Sequence, residues 1–374
     1  MSGKRVVCAG HVCIDITPAI PDAAGARIEE ILMPGKLIQA GRAALSVGGS
    51  VSNTGLGLKV LGADVSLMGK IGMDDFGDLI LNRYRAYHAE EGLIRQEEDA
   101  TSYSVVIAIP GIDRIFLHHP GANDTFREQD IPWDQVQGAA LFHFGYPPIM
   151  RSIYEDNAKE LIRILSHARR AGCATSLDLA AVDPNSDAGK QDWQEILRRA
   201  LPLTDFFCPS VEELCWMLDR ERFLSWQERA EGKDVTAILE PDRDIRPLAE
   251  ECMALGCRVL LIKCGAPGMF LKTAAKEALD KISPAAGLCS EAWAGQDFFE
   301  RSYIPERVLS GTGAGDTSIA AFLKAVLDGY GPRRTMQLAA AEGASCVEAY
   351  DALSGLRSFE ELEARIDAGW AKAL

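Results

Sequence analysis

The stretch LSGTGAGDTSIAAFL (309–323) carries the decision about the fold. Ile319, Ala320, Phe322, Leu323, Val326 and Leu327 recur at helical spacing, so a buried helix starts near Asp316 or Thr317. Gly311, Gly313 and Gly315 stand just before it, where glycine permits unusual backbone angles and close approach of another molecule. The unpaired amides at a helix N-terminus, with the positive end of its dipole, form an anion seat. A carboxylate in that seat is unusual. Asp316 either caps the helix or does chemistry beside a phosphate.

Two common phosphate loops do not fit. A dinucleotide fingerprint G-x-G-x-x-G follows the first strand of a βαβ unit, whereas this turn lies late and puts Asp316 where a glycine belongs. The pattern G-x-x-x-x-G-K-[ST] is absent from the turn. Asp316 makes sense if a phosphoryl group passes to a hydroxyl. The turn amides would then bind the transferring oxygens while the carboxylate accepts the acceptor's proton.

The chain of 374 residues is long enough for one large α/β domain or two smaller ones. Its 47% hydrophobic and 25% charged residues are those of an ordinary soluble enzyme. A formal charge of −15 argues against general nucleic-acid binding. No apolar run approaches the roughly 18–20 residues of a membrane span. The start, MSGKRVVCAGHVCID, shows no secretion signal, so a cytoplasmic protein is expected. Ten cysteines include no C-x-x-C pair and mostly sit in apolar runs, which predicts buried reduced thiols and no structural metal.

Along the chain, RVVCAG reads as a strand running to Asp15, 51–61 as helix, ADVSLMGKIG as strand and FGDLILNRYRAYH as helix. The rhythm returns in ALFHFG (140–145), a helix over 153–171, CATSLDL (173–179), DFFCP (205–209), a helix from Ser210 and CRVLLIKCG (257–265). Alternating strands and helices predict a parallel sheet. Residues 36–49 and 103–121 read instead as successive strands, the second a hairpin turning at Pro110-Gly111-Ile112-Asp113, and they are expected to pair as a small separate sheet. Such a sheet is a lid over a site or an edge extension. The charged segment 219–246 reads as an exposed insertion.

Further candidates sit elsewhere. In VGGSVSNTGLGLKVLG (47–62), Gly48 and Gly49 let a ligand approach the backbone, and Ser50, Ser52 or Asn53 would cap the next helix. Asp15, beyond the first strand, suits two hydroxyls of a polyol or a turn before Pro18.

Taken together, Asp15, the segment 48–77, PGAN (120–123) and GTGAGD (311–316) resemble the ribokinase-like, or PfkB, family of carbohydrate kinases over nearly the whole chain. The resemblance implies one doubly wound, three-layer α/β/α domain spanning 1–374, with a small β-sheet lid from strands within about 12–48 and 101–123. It implies an ATP- and Mg²⁺-dependent kinase that moves the γ-phosphoryl group to a hydroxyl of a sugar or related polyol. By position, Asp316 corresponds to the catalytic base and the amides of Gly313, Ala314 and Gly315 to the anion hole. Asp15, Gly48, Gly49 and Asn53 match the contacts to substrate hydroxyls. IKCGAPGMF (262–270) matches the nucleotide-lining segment, with Gly265 and Gly268 as its glycines and Lys263 near a phosphate. Glu213 matches the acid that organises Mg²⁺ through water.

Departures from the family pattern are equally specific. Ser310 and Gly311 replace an Asp-Thr pair, which argues against activation by a monovalent cation. Ser210 replaces the Asn of N-x-x-E, and FHFGYPP (142–148) replaces the segment that carries a substrate-binding Glu in ribokinases. Arg114 in the hairpin suits an acidic sugar or a solvated strand. A non-catalytic sugar- or nucleotide-binding relative and a nucleoside kinase of the same fold are the alternative readings. The free edge of a lid sheet points to a homodimer.

Overall fold

The computed structural model describes residues 4–20, 32–109 and 115–373. The first strand, β1 (Arg5–Gly10), is buried along nearly its whole length, with Val6 and Cys8 on one face and Val7 and Ala9 on the other. A strand buried on both faces belongs at the centre of a parallel sheet. The chain then leaves that sheet. β2 (Cys13–Thr17) and β3 (Ala44–Gly48) lie elsewhere, and β4 (Asp64–Gly72) and β5 (Leu93–Gln96) return to extend it on one side of β1. After a second excursion through β6 (Tyr103–Ile107) and β7 (Ile115–His119), the sheet grows on the other side of β1. That side holds β8 (Leu141–Gly145), β9 (Ala174–Leu177), β10 (Phe206–Phe207), β11 (Val259–Lys263), β12 (Gly268–Thr273) and β13 (Asp297–Arg301).

The resulting order is β13-β12-β11-β10-β9-β8-β1-β4-β5, with antiparallel pairing only at β11/β12 and β12/β13. One face is covered by the helices Arg151–Arg170, Trp193–Ala200, Val211–Leu218 and Arg246–Ala254. The other carries Asp75–Arg85, Ala314–Leu327 and Pro332–Cys346. This is the doubly wound, three-layer α/β/α arrangement. The growth direction reverses beside β1, and in such sheets ligands sit beyond the carboxyl ends of the strands at that switch point.

Several sequence readings need correction. RVVCAG does not run on to Asp15. Gly10 takes φ +130°, and a side chain there would strike the carbonyl of Gly145, so the chain swerves and Asp15 falls on β2 of the second sheet. Of 36–49 only β3 is strand, and the side chain of Leu37 before it is exposed. The small sheet has the order β3-β2-β6-β7, so the two anticipated pieces do not pair with each other but flank β2. The hairpin turn at 110–113 and Arg114 lie outside the described residues.

The charged segment 219–246 is not a solvated excursion. Trp226, Ala230, Val235 and Ile245 are buried in the core cluster, and Asp244, itself buried, is neutralised by Arg229 at 2.8 Å and Arg243 at 3.0 Å. Among the described residues all ten cysteines are unbridged, and nine of them are buried. No described helix is long and apolar enough to cross a membrane.

Candidate active site

Five elements end at one place. The helix Ala314–Leu327 begins after Gly313, whose φ of +77° leaves no room for a side chain, because a Cβ would press into Ala352. The amides of the first helical residues have no intrahelical acceptor. That of Ala314 is directed to Gly311 O at a long 3.4 Å, so Gly315 and Asp316 supply the N–H groups that point out of the turn.

Asp316 is buried in this first turn. Asn53 Nδ2 donates to its Oδ2 at 3.0 Å, and the Tyr146 hydroxyl lies 2.8 Å from both Oδ1 and Oδ2. Asn53 sits in a widened π-type turn, Val51–Leu56, a distortion that recurs at functional sites. Burial raises the pKa of Asp316, the Lys263 charge and the Asn53 and Tyr146 donors pull it back, and Glu213 pushes it up again.

Lys263 ends β11 and Asp178 follows β9, and the two form a buried ion pair at 2.7 Å. The stem of Lys263 runs past Gly315, with Nζ 3.7 Å from where a Cβ would stand, so its ammonium borders the helix N-terminus. Burial would lower the Lys263 pKa, but Asp178, Glu213 and Asp316 outweigh it and keep the ammonium charged. Burial pushes Asp178 up, Lys263 opposes this, and Glu213 and Asp316 add to the rise. Three carboxylates thus surround one ammonium. An excess of negative charge suits a group that arrives with its own cation.

Glu213 caps its own helix. Its Oε2 accepts from Ser210 N at 2.8 Å, and Ser210 Oγ accepts from Glu213 N at 3.3 Å. Among the described residues no group of three or more His, Cys, Asp or Glu forms a metal cage. Mg²⁺ is held in such sites by one or two carboxylates together with phosphate and water. The residues present fit that pattern, because Asp178 Oδ2 is buried without a partner beside Glu213.

The small sheet closes the opposite side. In register across its strands, Ser46, Asp15, Ser104 and His118 share one face. Ser104 Oγ lies 3.0 Å from His118 Nδ1, and the His118 ring packs on His11 with centroids 5.2 Å apart. His11 packs in turn on Tyr146 at 6.0 Å, so this face looks towards Asp316. Gly48 lies directly under Asp15, and a Cβ on Gly49 would come within 2.6 Å of His11 Nδ1. Both ring nitrogens of His11, Ser50 Oγ and His143 Nε2 are buried and unpartnered. Each buried polar atom left unpaired costs about 1–3 kcal/mol.

This geometry has counterparts. The sequence profile described as pfkB family carbohydrate kinase matches residues 4–358. The chain belongs to this family. As a pfkB carbohydrate kinase it is a phosphotransferase that acts on a sugar hydroxyl. It is 22% identical to an uncharacterized sugar kinase of Archaeoglobus fulgidus, over 80% of this chain and 98% of that one. It is 23% identical to the 2-dehydro-3-deoxygluconokinase of Bacillus subtilis, over 86% of each chain. In fold it is similar to Arabidopsis thaliana ribokinase complexed with ribose and ATP, with a TM-score of 0.69 and 19% identity over 97% of this chain and 98% of that chain.

Within this pfkB kinase, the structure brings Asp316, Gly313, Ala314, Gly315, Asn53 and Lys263 together, with Asp15, Gly48 and Gly49 on the facing wall. Asn53 spends an amide proton on Asp316 as well as facing the pocket. Gly265 and Gly268 have a steric reason to be glycine. They shape the β11–β12 turn with φ of +63° and +141°, against Thr236 and the backbone of Glu300. The sequence reading gave no site role to Tyr146, Asp178, His11, His118 or Ser104, although it singled out FHFGYPP, which contains Tyr146. Asp178 carried a signal, an acid directly after the strand ATSL. The others converge only in three dimensions.

Proposed function

We propose that this kinase transfers the γ-phosphoryl group of Mg-ATP to a hydroxyl of a sugar or related polyol, with Asp316 as the base. The observation that carries the reading is the meeting of a buried carboxylate, an ammonium and the first amides of a helix beyond the carboxyl ends of the parallel strands. Lys263 and the amides of Gly315 and Asp316 would meet the transferring oxygens, a preorganised field at the place where charge develops. The amides of Gly313 and Ala314 complete the turn. Mg²⁺ would neutralise the phosphates, held through Glu213 and Asp178 by way of water. Asp316 would accept the acceptor's proton and align its oxygen for in-line attack.

On the acceptor side, the row Ser46, Asp15, Ser104 and His118 offers several hydrogen-bonding groups in a line, a match for adjacent hydroxyls. Gly48 and Gly49 bring the backbone close beneath it. The sheet would act as a lid over the bound acceptor, with hydrogen exchange in β2, β3, β6 and β7 slowing when sugar and nucleotide are both present. Its outer face supports a homodimer. A cytoplasmic location is proposed with this reading.

The test is ADP release from Mg-ATP with pools of sugars, sugar acids, polyols and nucleosides. An acceptor-dependent pool supports the reading and deconvolution names the acceptor, whereas activity confined to nucleosides replaces the sugar with a nucleoside. Asp316→Asn should lower turnover by roughly 10²-fold or more, the loss of a positioned general base, with the thermal midpoint little changed. Retained turnover in that variant would refute the base assignment.

A further inference from the structure

A carboxylate offers four in-plane lone pairs. On Asp316, Asn53 takes one at Oδ2, and Thr54 Oγ1 stands at a long 3.5 Å from Oδ1. The Tyr146 hydroxyl is 2.8 Å from both oxygens, so it sits astride the carboxylate rather than at one end. Its proton fixes the carboxylate plane and still leaves acceptor capacity on the side turned to the pocket. Tyr146 lies in FHFGYPP (142–148), the segment in which the chain departs from ribokinases.

We infer that Tyr146 is a positioning residue for Asp316, holding the ionised carboxylate in one orientation while the acceptor hydroxyl approaches. The inference rests on the reading of Asp316 as the base. Three features make Tyr146 a fixed strut. Its backbone is left-handed, at φ 65° and ψ 41°, a region that side-chain-bearing residues enter seldom and that clusters at functional sites. That conformation is locked from both sides. His11 N–H bonds Gly145 O at 3.3 Å before it, and Pro147-Pro148 with Ile149 N–H on Tyr146 O at 3.2 Å follow it. The ring is packed on His11, which is packed on His118 of β7, so the small sheet braces the phenol that braces the base.

Charge decides the direction of the hydrogen bond. Burial raises the Tyr146 pKa, and the Asp316, Asp178 and Glu213 carboxylates raise it further, so the hydroxyl keeps its proton and donates. Facing Asp316 from the other elements are Lys263, Asn53 and Glu213, with Asp178, Cys13 and Cys346 nearby. Of these, Lys263, Asn53 and Tyr146 favour the carboxylate, and burial with Glu213 opposes it. Removing the Tyr146 donor tilts that balance towards the protonated acid.

The full-length protein labelled with carboxyl-¹³C aspartate allows Asp316 to be titrated by NMR without any ligand, its signal assigned by its loss in Asp316→Asn. In Tyr146→Phe, which keeps the ring, the Asp316 titration should move up by about one pH unit, with the thermal midpoint nearly unchanged. An unmoved titration overturns the inference, whether or not the midpoint falls. Should Tyr146→Phe not fold, 3,5-difluorotyrosine placed at position 146 keeps ring and hydroxyl and strengthens the donor. Asp316 should then titrate lower, and no shift again overturns the inference. The two readings fail separately. Full turnover in Asp316→Asn sinks the base assignment whatever the NMR shows, whereas loss of turnover there with no shift in Tyr146→Phe sinks only the role of Tyr146.

Discussion

Lys263 Nζ lies 2.7 Å from Asp178 Oδ1, and this pair joins two strand ends that are 85 residues apart in sequence. Both side chains are buried, at 12% and 0% exposure. Removing one partner of such a pair costs about 3–5 kcal/mol, because the other charge is left buried and alone. A purely structural pair and a catalytic one therefore respond differently to a second substitution.

Lys263→Met should lower both the thermal midpoint and turnover, the latter by roughly 10²–10³-fold if the ammonium stabilises the transferring phosphoryl group. Lys263→Met combined with Asp178→Asn removes the stranded carboxylate and should recover most of the midpoint while turnover stays low. Recovery of turnover in the double variant would reduce the pair to a structural strut. Thermal unfolding and ADP release on the same three proteins decide the matter.

The glycines of the turn separate in the same way. Gly313 has φ +77°, and a Cβ there would lie within 3.0 Å of the Ala352 Cα, so Gly313→Ala should lower both stability and turnover. Gly315 lies in ordinary helical conformation, and its Cβ would meet only the Lys263 stem at 3.4 Å or more. Gly315→Ala should leave the thermal midpoint unchanged within about a degree or two, since ΔΔG near zero moves it little. It should still reduce turnover, because the added methyl occupies the space that a phosphoryl group would enter. A Gly315→Ala enzyme as active as the wild type would show that the group binds elsewhere.

What could be read from the sequence was what local chemistry enforces. The helix was legible to within about two or three residues of its start at Ala314, because the apolar spacing and the glycine turn lie within a few residues of each other. The layers were legible because buried strands such as β8 and β11 are short apolar runs. The split of RVVCAGHVCID into β1 and β2 was not, since Gly10 turns the chain against Gly145, 135 residues away, as the contact between them shows. Trp226 looked exposed among charges because the pairing of Arg229 with buried Asp244, which lets a charged segment pack on the core, is itself visible only in three dimensions. Tyr146, His11 and His118 come from three separate loops and strands. No spacing rule links them.

Glu342 offers a pH test remote from the base. It is fully buried, accepts from Arg357 N at 3.0 Å through Oε1, and its Oε2 has no partner. Burial pushes its pKa up to about 8 from 4.5, the Arg357 amide and charge oppose this, and Glu361 adds to it. Between those values the folded state holds a proton that the unfolded state has lost, so stability is full below about pH 4.5 and falls as pH rises towards 8. Glu342→Gln keeps the bond to Arg357 and removes the ionisation. Its gain over the wild type should be near zero in acid and grow to the order of a few kcal/mol by about pH 8. A pH-independent difference between the two denaturation curves would contradict the assignment.

The small sheet has a second face, turned away from Asp15. In register across its four strands, Leu45, Ile16, Val105 and Leu117 form an apolar row on the face opposite Asp15 and His118. Leu45 and Leu117, at the two edge strands, are 44% and 56% exposed. Edge strands with apolar side chains invite pairing unless something covers them. A second copy of the chain supplies an identical row, and a two-fold axis across the sheet would bury both at once. Sedimentation equilibrium should therefore show a dimer, and Leu45→Asp with Leu117→Asp should shift it to monomer without lowering the thermal midpoint of the α/β/α body. Because the same sheet carries Ser104 and His118 over the pocket, the monomeric variant should also bind its acceptor more weakly, raising KM with kcat less affected. A wild-type protein that sediments as a monomer at every concentration would leave that row without the partner argued for it and remove the predicted link between association and KM.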